Sequence, residues 1–295
     1  MHAYAETKPV EEVNAIPEDF QITPFSNSES GQLAAYGRSL VVNTYKLIGP
    51  NSNQPIIGNK LSCTSCHLKG GTKPFAAPYI GLSNIFPIYI AREDRVVSLE
   101  ERINGCIERS LNGRTIDHDS YEMRAIVSYI QHLSSEYYSN RRVKGHGFLT
   151  LELPNRAANP LSGQRVFERH CVSCHGVDGQ GGSVTAEMRI AGKSFPPLWG
   201  DSSYNDGAGM ARVLTAARYI KANMPLGTKA SAPILSDEEA YDVAAYINSH
   251  ARPVKANKEN DYPDLSKKPK DCPYPPYADA IPQSQHKFGP FNFTR

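Results

Sequence analysis

The sequence predicts an all-α protein made of two tandem domains, followed by an irregular, proline-rich C-terminal extension. Each half of the chain repeats one order: a helix, a short cysteine motif, a glycine- and proline-rich loop, a helix and a terminal helix. No alternation of apolar and polar residues persists long enough to suggest a sheet core. The length of 295 residues fits roughly two domains of ~150 residues each.

The repeat divides the chain into five segments. We expect an irregular N-terminal segment at 1–29, a first domain at 30–143, a linker at 144–160, a second domain at 161–251 and an extension at 252–295. The extension is too rich in aromatic residues for a solvated tail, so we expect it to wrap over the domains. These aromatic residues are Tyr262, Tyr274, Tyr277, Phe288, Phe291 and Phe293.

Each domain is predicted to begin and end with a helix. "SGQLAAYGRSLVVNTYKLIG" (30–49) and "SGQRVFERH" (162–170) are the first helices. The terminal helices have start signals, with Ser236 and Glu239 forming a capping box in one and Asp119 and Glu122 doing so in the other. Their apolar residues recur on one face, which is typical of helices packed on a core. The inward-facing residues are Val243, Ala244 and Ile247 in one helix, and Met123, Ile126, Val127 and Ile130 in the other.

The cysteine motifs, "CTSCH" at 63–67 and "CVSCH" at 171–175, both read C-x-x-C-H. This motif attaches c-type haem, because two thiols add across the haem vinyl groups and the adjacent histidine binds the iron. A zinc site needs other ligand spacings, and a redox dithiol needs no histidine directly after it. The sequence therefore predicts two covalently bound haem c groups. Their predicted binding residues are Cys63, Cys66, His67, Cys171, Cys174 and His175.

Charge and hydropathy exclude two classes of partner. The net charge of +2 is far from the strongly basic balance of a nucleic-acid-binding protein. No apolar run approaches the ~18 residues of a membrane span.

Haem attachment of this kind takes place outside the bacterial cytoplasm, so we expect a periplasmic protein whose signal peptide has been removed. The opening "HAYAE" is similar to the end of a cleavage site.

The sixth iron ligand of the second haem is predicted to be Met224. It precedes Pro225, lies 49 residues after His175 and comes just before the terminal helix. A thioether ligand raises the reduction potential, which suits an electron-relay haem. Met224 could instead simply fill the core. Of the other methionines, Met188 is very close to His175 in sequence, and Met210 is expected inside a helix.

In the first domain, "SLEERINGCIERSLNGR" predicts a helix with an inward-facing cysteine. Ser98 and Glu101 form a capping box, so the helix should run from about Leu99 to Leu111. Cys106 belongs to its apolar stripe and should point towards the haem or the core. This stripe consists of Leu99, Ile103, Cys106 and Ile107.

The residues alone leave the sixth ligand of the first haem open. Met123 is expected on the core face of the terminal helix, so the candidates are His118, just before that helix, and Cys106. Cys106 could also be a buried structural cysteine, or it could form a disulfide with Cys272, because an oxidising compartment favours pairing.

Several arginines cluster around Cys106 and suggest a site for anions. Arg102 is four residues before it, Arg109 three after it and Ser110 four after it, so all three can lie near it on the helix. Arg92 could reach the same area from the preceding loop. Such charges more often form a solvated face, and three glutamates on this helix partly balance them.

"RINGCIERSLNG" with its lone cysteine, followed by a second C-x-x-C-H domain with "NMP", resembles the di-haem thiosulfate dehydrogenases. These tetrathionate-forming bacterial c-type cytochromes are periplasmic enzymes. The resemblance covers both haem domains and their order, but not the extension. It implies two tandem class I cytochrome c domains, with the active-site haem in the first and the electron-transfer haem in the second.

The resemblance also implies roles for particular residues. The family's active-site haem has histidine and cysteine ligands, which correspond to His67 and Cys106. By spacing from the cysteine, the residues of the family's substrate cavity correspond to Arg92, Arg102 and Ser110. At the second haem, some family members have a lysine directly before the methionine, and that lysine can bind the iron. This chain has Asn223 at that position, so the resemblance favours stable ligation by His175 and Met224.

The implied reaction joins two thiosulfates into tetrathionate with loss of two electrons, and modest tuning of the reduction potentials would let the same site reduce tetrathionate. At ~4 Å and an effective dielectric near 20, each pair of like unit charges costs about 4 kcal/mol, which arginines can offset. We expect Cys106 to carry one thiosulfate covalently, and an external small cytochrome c or high-potential electron protein to take the electrons. The alternatives are a non-catalytic di-haem electron carrier and a di-haem peroxidase.

Overall fold

A computed structural model describes residues 18–135, 137, 143–182 and 194–293. Met188 lies outside the described residues. None of the described helices is both long and apolar enough to cross a lipid bilayer. The first half contains α1 (Glu29–Ile48), α2 (Leu68–Gly71), α3 (Leu99–Ser110) and α4 (Tyr121–Ser134). The second half contains α5 (Pro160–His170), α6 (Val172–His175), α7 (Val213–Asn223) and α8 (Asp237–Ser249). The extension contains α9 (Gln283–Phe288).

In both halves the first helix crosses the terminal helix at a glycine. A Cβ on Gly37 of α1 would lie 1.9 Å from the carbonyl oxygen of Ala125 on α4. A Cβ on Gly163 of α5 would lie 2.0 Å from the carbonyl oxygen of Asp242 on α8. Only glycine permits such close backbone approach. The repeat seen in the sequence is therefore a repeat of the same helix packing.

The predicted start of α3 is confirmed. The Ser98 amide donates to Glu101 Oε2 (2.7 Å), and the Glu101 amide donates to Ser98 Oγ (3.2 Å), which completes the capping box. Ser236 and Glu239 form the same reciprocal pair at the start of α8. Helix α3 ends at Ser110, one residue earlier than expected.

The predicted cap of α4 is wrong by one residue. Ser120, rather than Asp119, is the N-cap, and its hydroxyl accepts the amide of Met123 (3.1 Å). Asp119 instead lies in the preceding turn, where its own amide donates to the Asp117 carboxylate (2.7 Å). Serine and aspartate are comparable caps, so local preference alone cannot choose between adjacent residues.

A short antiparallel hairpin, which the sequence analysis did not predict, precedes α3. Strands β1 (Ile88–Ile90) and β2 (Arg95–Val97) pair with Ile88 opposite Val97. Their turn contains Arg92 and the left-handed residue Asp94 (φ 49°). Three-residue strands cannot form a sheet core, so the all-α description holds.

Each half has its own hydrophobic core between its first and terminal helices. The half-buried side chain of Met210 packs against both cores, so the two halves meet there. The most fully buried side chains include Leu40, Val41, Met123, Tyr129 and Ile130 in the first core, and Phe167, Val213, Leu235, Tyr241 and Val243 in the second.

The extension contacts both halves of the molecule. On the first half, the amide of Tyr262 donates to the carbonyl of Arg92 (2.8 Å). On the second half, Arg212 Nε donates to Asp271 Oδ1 (2.9 Å), and Phe288 accepts a backbone hydrogen bond from Ala158 (2.8 Å).

Candidate active site

The first cysteine motif is anchored to α1 and orients its histidine. The amide of Cys63 donates to Thr44 Oγ1 (3.0 Å), and that hydroxyl lies 3.4 Å from Cys63 Sγ. His67 Nδ1 lies 2.6 Å from the carbonyl oxygen of Ala77. A carbonyl can only accept, so Nδ1 carries the proton and Nε2 is the atom suited to bind a metal.

Helix α3 brings Cys106 to the same place. Arg102 Nη1 donates to Cys106 Sγ at 3.0 Å, and the side chain of His67 lies close enough to Cys106 to lower the pKa of its thiol. The two candidate ligands of the first haem therefore face one another. The other candidate, His118, is exposed in the turn before α4.

The thiols of this site differ in their electrostatic surroundings. Burial raises the pKa of Cys66 to about 12. Burial also acts to raise the pKa of Cys106, but the opposing effects of Arg102, His67 and Arg92 outweigh it and lower that pKa to about 6. The site therefore favours negative charge at Cys106 and disfavours it at the haem-attachment cysteine.

Arg92 extends from the hairpin turn towards this cluster. Its side chain is 16% exposed, and its Nε forms an ion pair with Glu93 Oε1 at 3.3 Å. This ion pair does not have the geometry of a hydrogen bond, so within the described part of the chain the Nε–H has no hydrogen-bond acceptor. A buried guanidinium N–H with no acceptor is suited to binding an anion. Ser110 lies at the end of α3, where its carbonyl accepts Asn59 Nδ2 (2.8 Å).

Arg109 has a partner elsewhere. Its Nη1 and Nη2 donate to the two carboxylate oxygens of Asp261 at 2.8 and 2.6 Å. Tyr274 also donates its hydroxyl to Asp261, at 2.6 Å. The geometry thus joins Arg109 to the extension rather than to Cys106, and a direct catalytic role for Arg109 stays a prediction without support from these contacts. Sequence reasoning missed Asp261, which has no motif and lies 152 positions after Arg109.

The alternative of a disulfide between Cys106 and Cys272 is wrong for this structure. Both residues are free thiols. Cys272 is buried in the extension, in a cluster with Tyr262 and Tyr274.

The second cysteine motif borders an apolar cavity of about 360 Å³. His175 Nδ1 lies 3.4 Å from the carbonyl oxygen of Pro196, and burial lowers the pKa of His175, so the neutral, metal-binding form is favoured. The cavity is lined by Cys171, Cys174, His175, Leu198, Met210, Met224, Ile220, Val243 and Ile247, among others.

Two methionines reach this cavity. Met224 is the C-cap of α7, and its side chain lines the cavity. Met210 was expected inside a helix but lies in the 3₁₀ turn Gly209–Ala211, from which it lines the same cavity. Asn223 is buried and donates to the carbonyls of Phe75 (3.1 Å) and Tyr219 (2.9 Å). Ligation by Met224 therefore stays a prediction that the geometry allows.

The two sites adjoin. Thr64, Ser65 and Cys66 of the first motif also line the second cavity. Tyr219 of α7 lines it too and donates its hydroxyl to the carbonyl of Ser65 (3.2 Å). Thiols, an oriented histidine and facing ligands at the first site, and an apolar cavity beside the second motif, fit covalently attached haem at both.

Two family models match the chain. The model described as "SoxA/TsdA, cytochrome c domain" matches residues 53–138, and the one described as "Cytochrome c" matches residues 161–251. The all-α prediction of two tandem cytochrome c domains is confirmed, and the protein carries two covalently bound haem c groups.

Curated relatives cover most of the chain. The thiosulfate dehydrogenase of Psychrobacter arcticus is 40% identical over 238 residues, which are 81% of this chain and 69% of that protein. The enzyme of Allochromatium vinosum is 41% identical over 225 residues, or 75% of this chain and 80% of that protein.

A solved structure agrees with these relatives. "Thiosulfate dehydrogenase (TsdBA)" from Marichromatium purpuratum, in the "as isolated" form, is 34% identical with a TM-score of 0.70. The match covers 79% of this chain and 49% of that longer chain. Together with the facing pair of His67 and Cys106, these similarities show that the chain belongs to the thiosulfate dehydrogenase family of di-haem c-type cytochromes.

Proposed function

We propose that the protein joins two thiosulfates into tetrathionate at the first haem site and passes the electrons through the second haem to an external carrier. As a member of its family, the chain is an oxidoreductase that acts on thiosulfate. The observation that carries the finer proposal is the hydrogen bond from Arg102 to Cys106 Sγ (3.0 Å), in a site where Cys106 faces His67.

The arginines bind and orient the substrate. Thiosulfate is a dianion, and two must meet, so uncompensated approach at ~4 Å would cost about 4 kcal/mol for each pair of unit charges at an effective dielectric of 20. Arg102 and Arg92 supply fixed positive charge beside Cys106. A planar guanidinium can donate two parallel hydrogen bonds to a sulfonate, which also fixes the direction from which the outer sulfur approaches.

Cys106 carries the sulfur chemistry. Its thiolate forms an S–S bond with the outer sulfur of one thiosulfate, two electrons are removed, and the product is Cys–S–S–SO₃⁻. The outer sulfur of the second thiosulfate attacks the sulfur that is bonded to Cys106 Sγ. The bond to Cys106 breaks, tetrathionate leaves and the Cys106 thiolate is restored, so atoms and charge balance. Two bound haems would supply the acceptors for the two electrons, one each.

His67 and Cys106 would hold the first iron, and His175 and Met224 the second. A thiolate ligand stabilises ferric iron and a thioether raises the potential, so electrons should move from the first site to the second. Only ~30 mV corresponds to about 1.4 kcal/mol for a two-electron couple, so the same site could also reduce tetrathionate. A small cytochrome c or a high-potential electron protein in the periplasm would be the external carrier.

Replacing Cys106 with glycine tests the proposal. Cys106→Gly should abolish tetrathionate formation, measured with an artificial acceptor, while both haems stay attached because Cys63, Cys66, Cys171 and Cys174 are unchanged. Cys272→Ala is the matched control, since it removes a thiol from the extension. An active Cys106→Gly variant would overturn the mechanism, because tetrathionate would then form without the Cys106 thiolate.

A second measurement tests the ligand without turnover. The low-spin ferric EPR spectrum should contain a thiolate-ligated haem in the native protein and in Cys272→Ala. That signal should be lost in Cys106→Gly. If the signal survives, another residue ligates the first haem.

A further inference from the structure

The extension binds the hairpin that carries Arg92. The amide of Tyr262 donates to the carbonyl of Arg92 itself (2.8 Å). Across the turn, Lys267 Nζ donates to Asp94 Oδ1 (2.8 Å) and to the hydroxyl of Tyr89 (2.7 Å). The hairpin is therefore held on strand β1 and at its turn by a segment more than 160 residues later in the chain.

The same segment is tied to the helix that carries Cys106. Asp261, directly before Tyr262, accepts two hydrogen bonds from the Arg109 guanidinium at 2.6 and 2.8 Å. The two side chains are only 8% and 11% exposed. A bidentate, charge-assisted pair shielded from water has a well-defined geometry. Asp261 and Tyr262 thus connect α3 to the hairpin turn.

The extension is internally ordered enough to act as a support. Lys268 is buried, donates to the carbonyl of Pro276 (2.8 Å) and lies 4.8–5.6 Å from the ring centres of three tyrosines. Such cation–π contacts stabilise a desolvated ammonium group. Two of these rings, those of Tyr262 and Tyr274, also form the buried cluster against which Ala91 packs. Ala91, the residue directly before Arg92, therefore packs against the extension.

The hairpin needs this support. Its strands have three residues each, and an isolated two-stranded hairpin is at best marginally stable in water. Without external contacts its turn would move, and the Arg92 guanidinium would move with it. We propose that Asp261, through its pair with Arg109 and the adjoining Tyr262 amide, is a positioning residue that holds Arg92 at the substrate site beside Cys106. This inference rests on the proposed function for its substrate, thiosulfate.

Asp261→Asn tests the inference, with Asp242→Asn as the matched control. Asp242 accepts a bidentate pair from Arg156 at 2.8 and 3.0 Å and is also buried, but it belongs to the second half. Asp261→Asn should raise KM for thiosulfate about tenfold and change kcat less than about twofold, because misplaced binding residues weaken substrate binding. Asp242→Asn should lower the melting temperature and leave KM unchanged.

Hydrogen exchange gives a readout that does not depend on turnover. In the holoprotein, backbone amides of residues 88–97 should exchange faster in Asp261→Asn and at the native rate in Asp242→Asn. Lys267→Met should produce a smaller change of the same kind, and Lys267→Arg should restore the native rate because it keeps the charge. Lys267 is 42% exposed, so this variant remains informative if Asp261→Asn does not fold.

Three outcomes would overturn the inference. Unchanged KM and unchanged hairpin exchange in Asp261→Asn would show that Arg92 needs no support from the extension. Equal rises in KM for Asp261→Asn and Asp242→Asn would show a general loss of stability. Faster hairpin exchange without a rise in KM would show that the hairpin does not set substrate affinity. Failure of the native protein to oxidise thiosulfate would instead remove the proposed function and leave the exchange result standing.

Discussion

The two haem sites share one scaffold and differ in what faces the motif histidine. In both, the motif follows the first helix of its half, and the histidine Nδ1 points to a backbone carbonyl, that of Ala77 or Pro196. At the first site the facing side chain is Cys106, hydrogen-bonded by Arg102. At the second site, the histidine borders an apolar cavity that two methionines also line. The motif thus determines attachment, and the facing elements determine the chemistry.

The difference has a physical reason. In the proposed function a dianionic substrate must leave water at the first site, where the fixed positive charge of buried arginines would replace its hydration. An electron-relay haem needs an apolar surround and a soft ligand, which exclude water and raise the potential. Because Cys66 lines the second cavity, the two environments meet without an intervening layer.

Arg102→Met should have the largest effect on the difference between the two sites, because it removes the cation that contacts Cys106. We expect kcat/KM for thiosulfate to fall about 100-fold, or ~3 kcal/mol, as for loss of one preorganised donor. Arg102→Lys should recover part of this loss, since it keeps the charge but not the planar fork. Steady-state kinetics measures both. An unchanged Arg102→Met enzyme would mean that the first site does not bind its anion through this residue.

Met224→Gly should alter only the second site. Loss of the thioether should lower the potential of one haem by on the order of 0.1 V, a small part of the ~0.8 V range that axial ligands span. Redox titration should show the other haem unmoved, with KM for thiosulfate near the native value. Met210→Leu is the matched control from the same cavity and should leave both potentials in place. If thiosulfate affinity collapsed while potentials stayed constant, the roles of the two haems would be reversed.

Gly37→Ala and Gly163→Ala should test what the halves have in common. Each new methyl group would meet a backbone carbonyl at about 2 Å, so the helices must separate. We expect each change to lower the free energy of unfolding by about 2 kcal/mol, as for other overpacked sites. Chemical denaturation followed by circular dichroism measures the loss. A large effect in one half only would show that the two helix crossings are not equivalent.

The smallest expected effect is a change in the pH dependence of stability, and it comes from a carboxylate in the second half. Desolvation acts to raise the pKa of Asp237 on α8, but its hydrogen bonds from Lys221 and the Glu152 amide dominate and lower it. A carboxylate with a lowered pKa in the folded state adds stability above its unfolded pKa, and that stability is lost as pH falls through the folded value. Between pH ~5 and ~2, the melting temperature of Asp237→Asn should fall less than that of the native protein, by about 2 °C or less. Parallel curves would exclude this contribution.

Much of the fold followed from local patterns. The Ser98 capping box predicted α3, and the apolar stripe on that helix predicted that Cys106 faces inward, because both signals depend on residues within one or two turns. The cap of α4, predicted at Asp119 and found at Ser120, shows the limit of such signals. When adjacent residues have similar capping preferences, only the path of the preceding chain decides which of them caps the helix.

The candidate site was less predictable than the fold. Arg102 and Arg109 both lie within one turn of Cys106 on α3, so spacing alone placed both beside it. The structure directs Arg102 to Cys106 Sγ and Arg109 to Asp261. Met210 was likewise assigned to a helix interior, but it reaches the second cavity from a 3₁₀ turn.

The sequence by itself determined the number of haems, the order of the helices and the inward-facing cysteine on α3. These depend on covalent spacing and on the 3.6-residue period, which act over a few neighbouring residues. Only the tertiary structure decided which arginine meets Cys106, and that the extension holds the hairpin of Arg92. Those choices depend on partners such as Asp261 and Tyr262, which lie more than 150 positions away and carry no motif, so the folded chain alone brings them together.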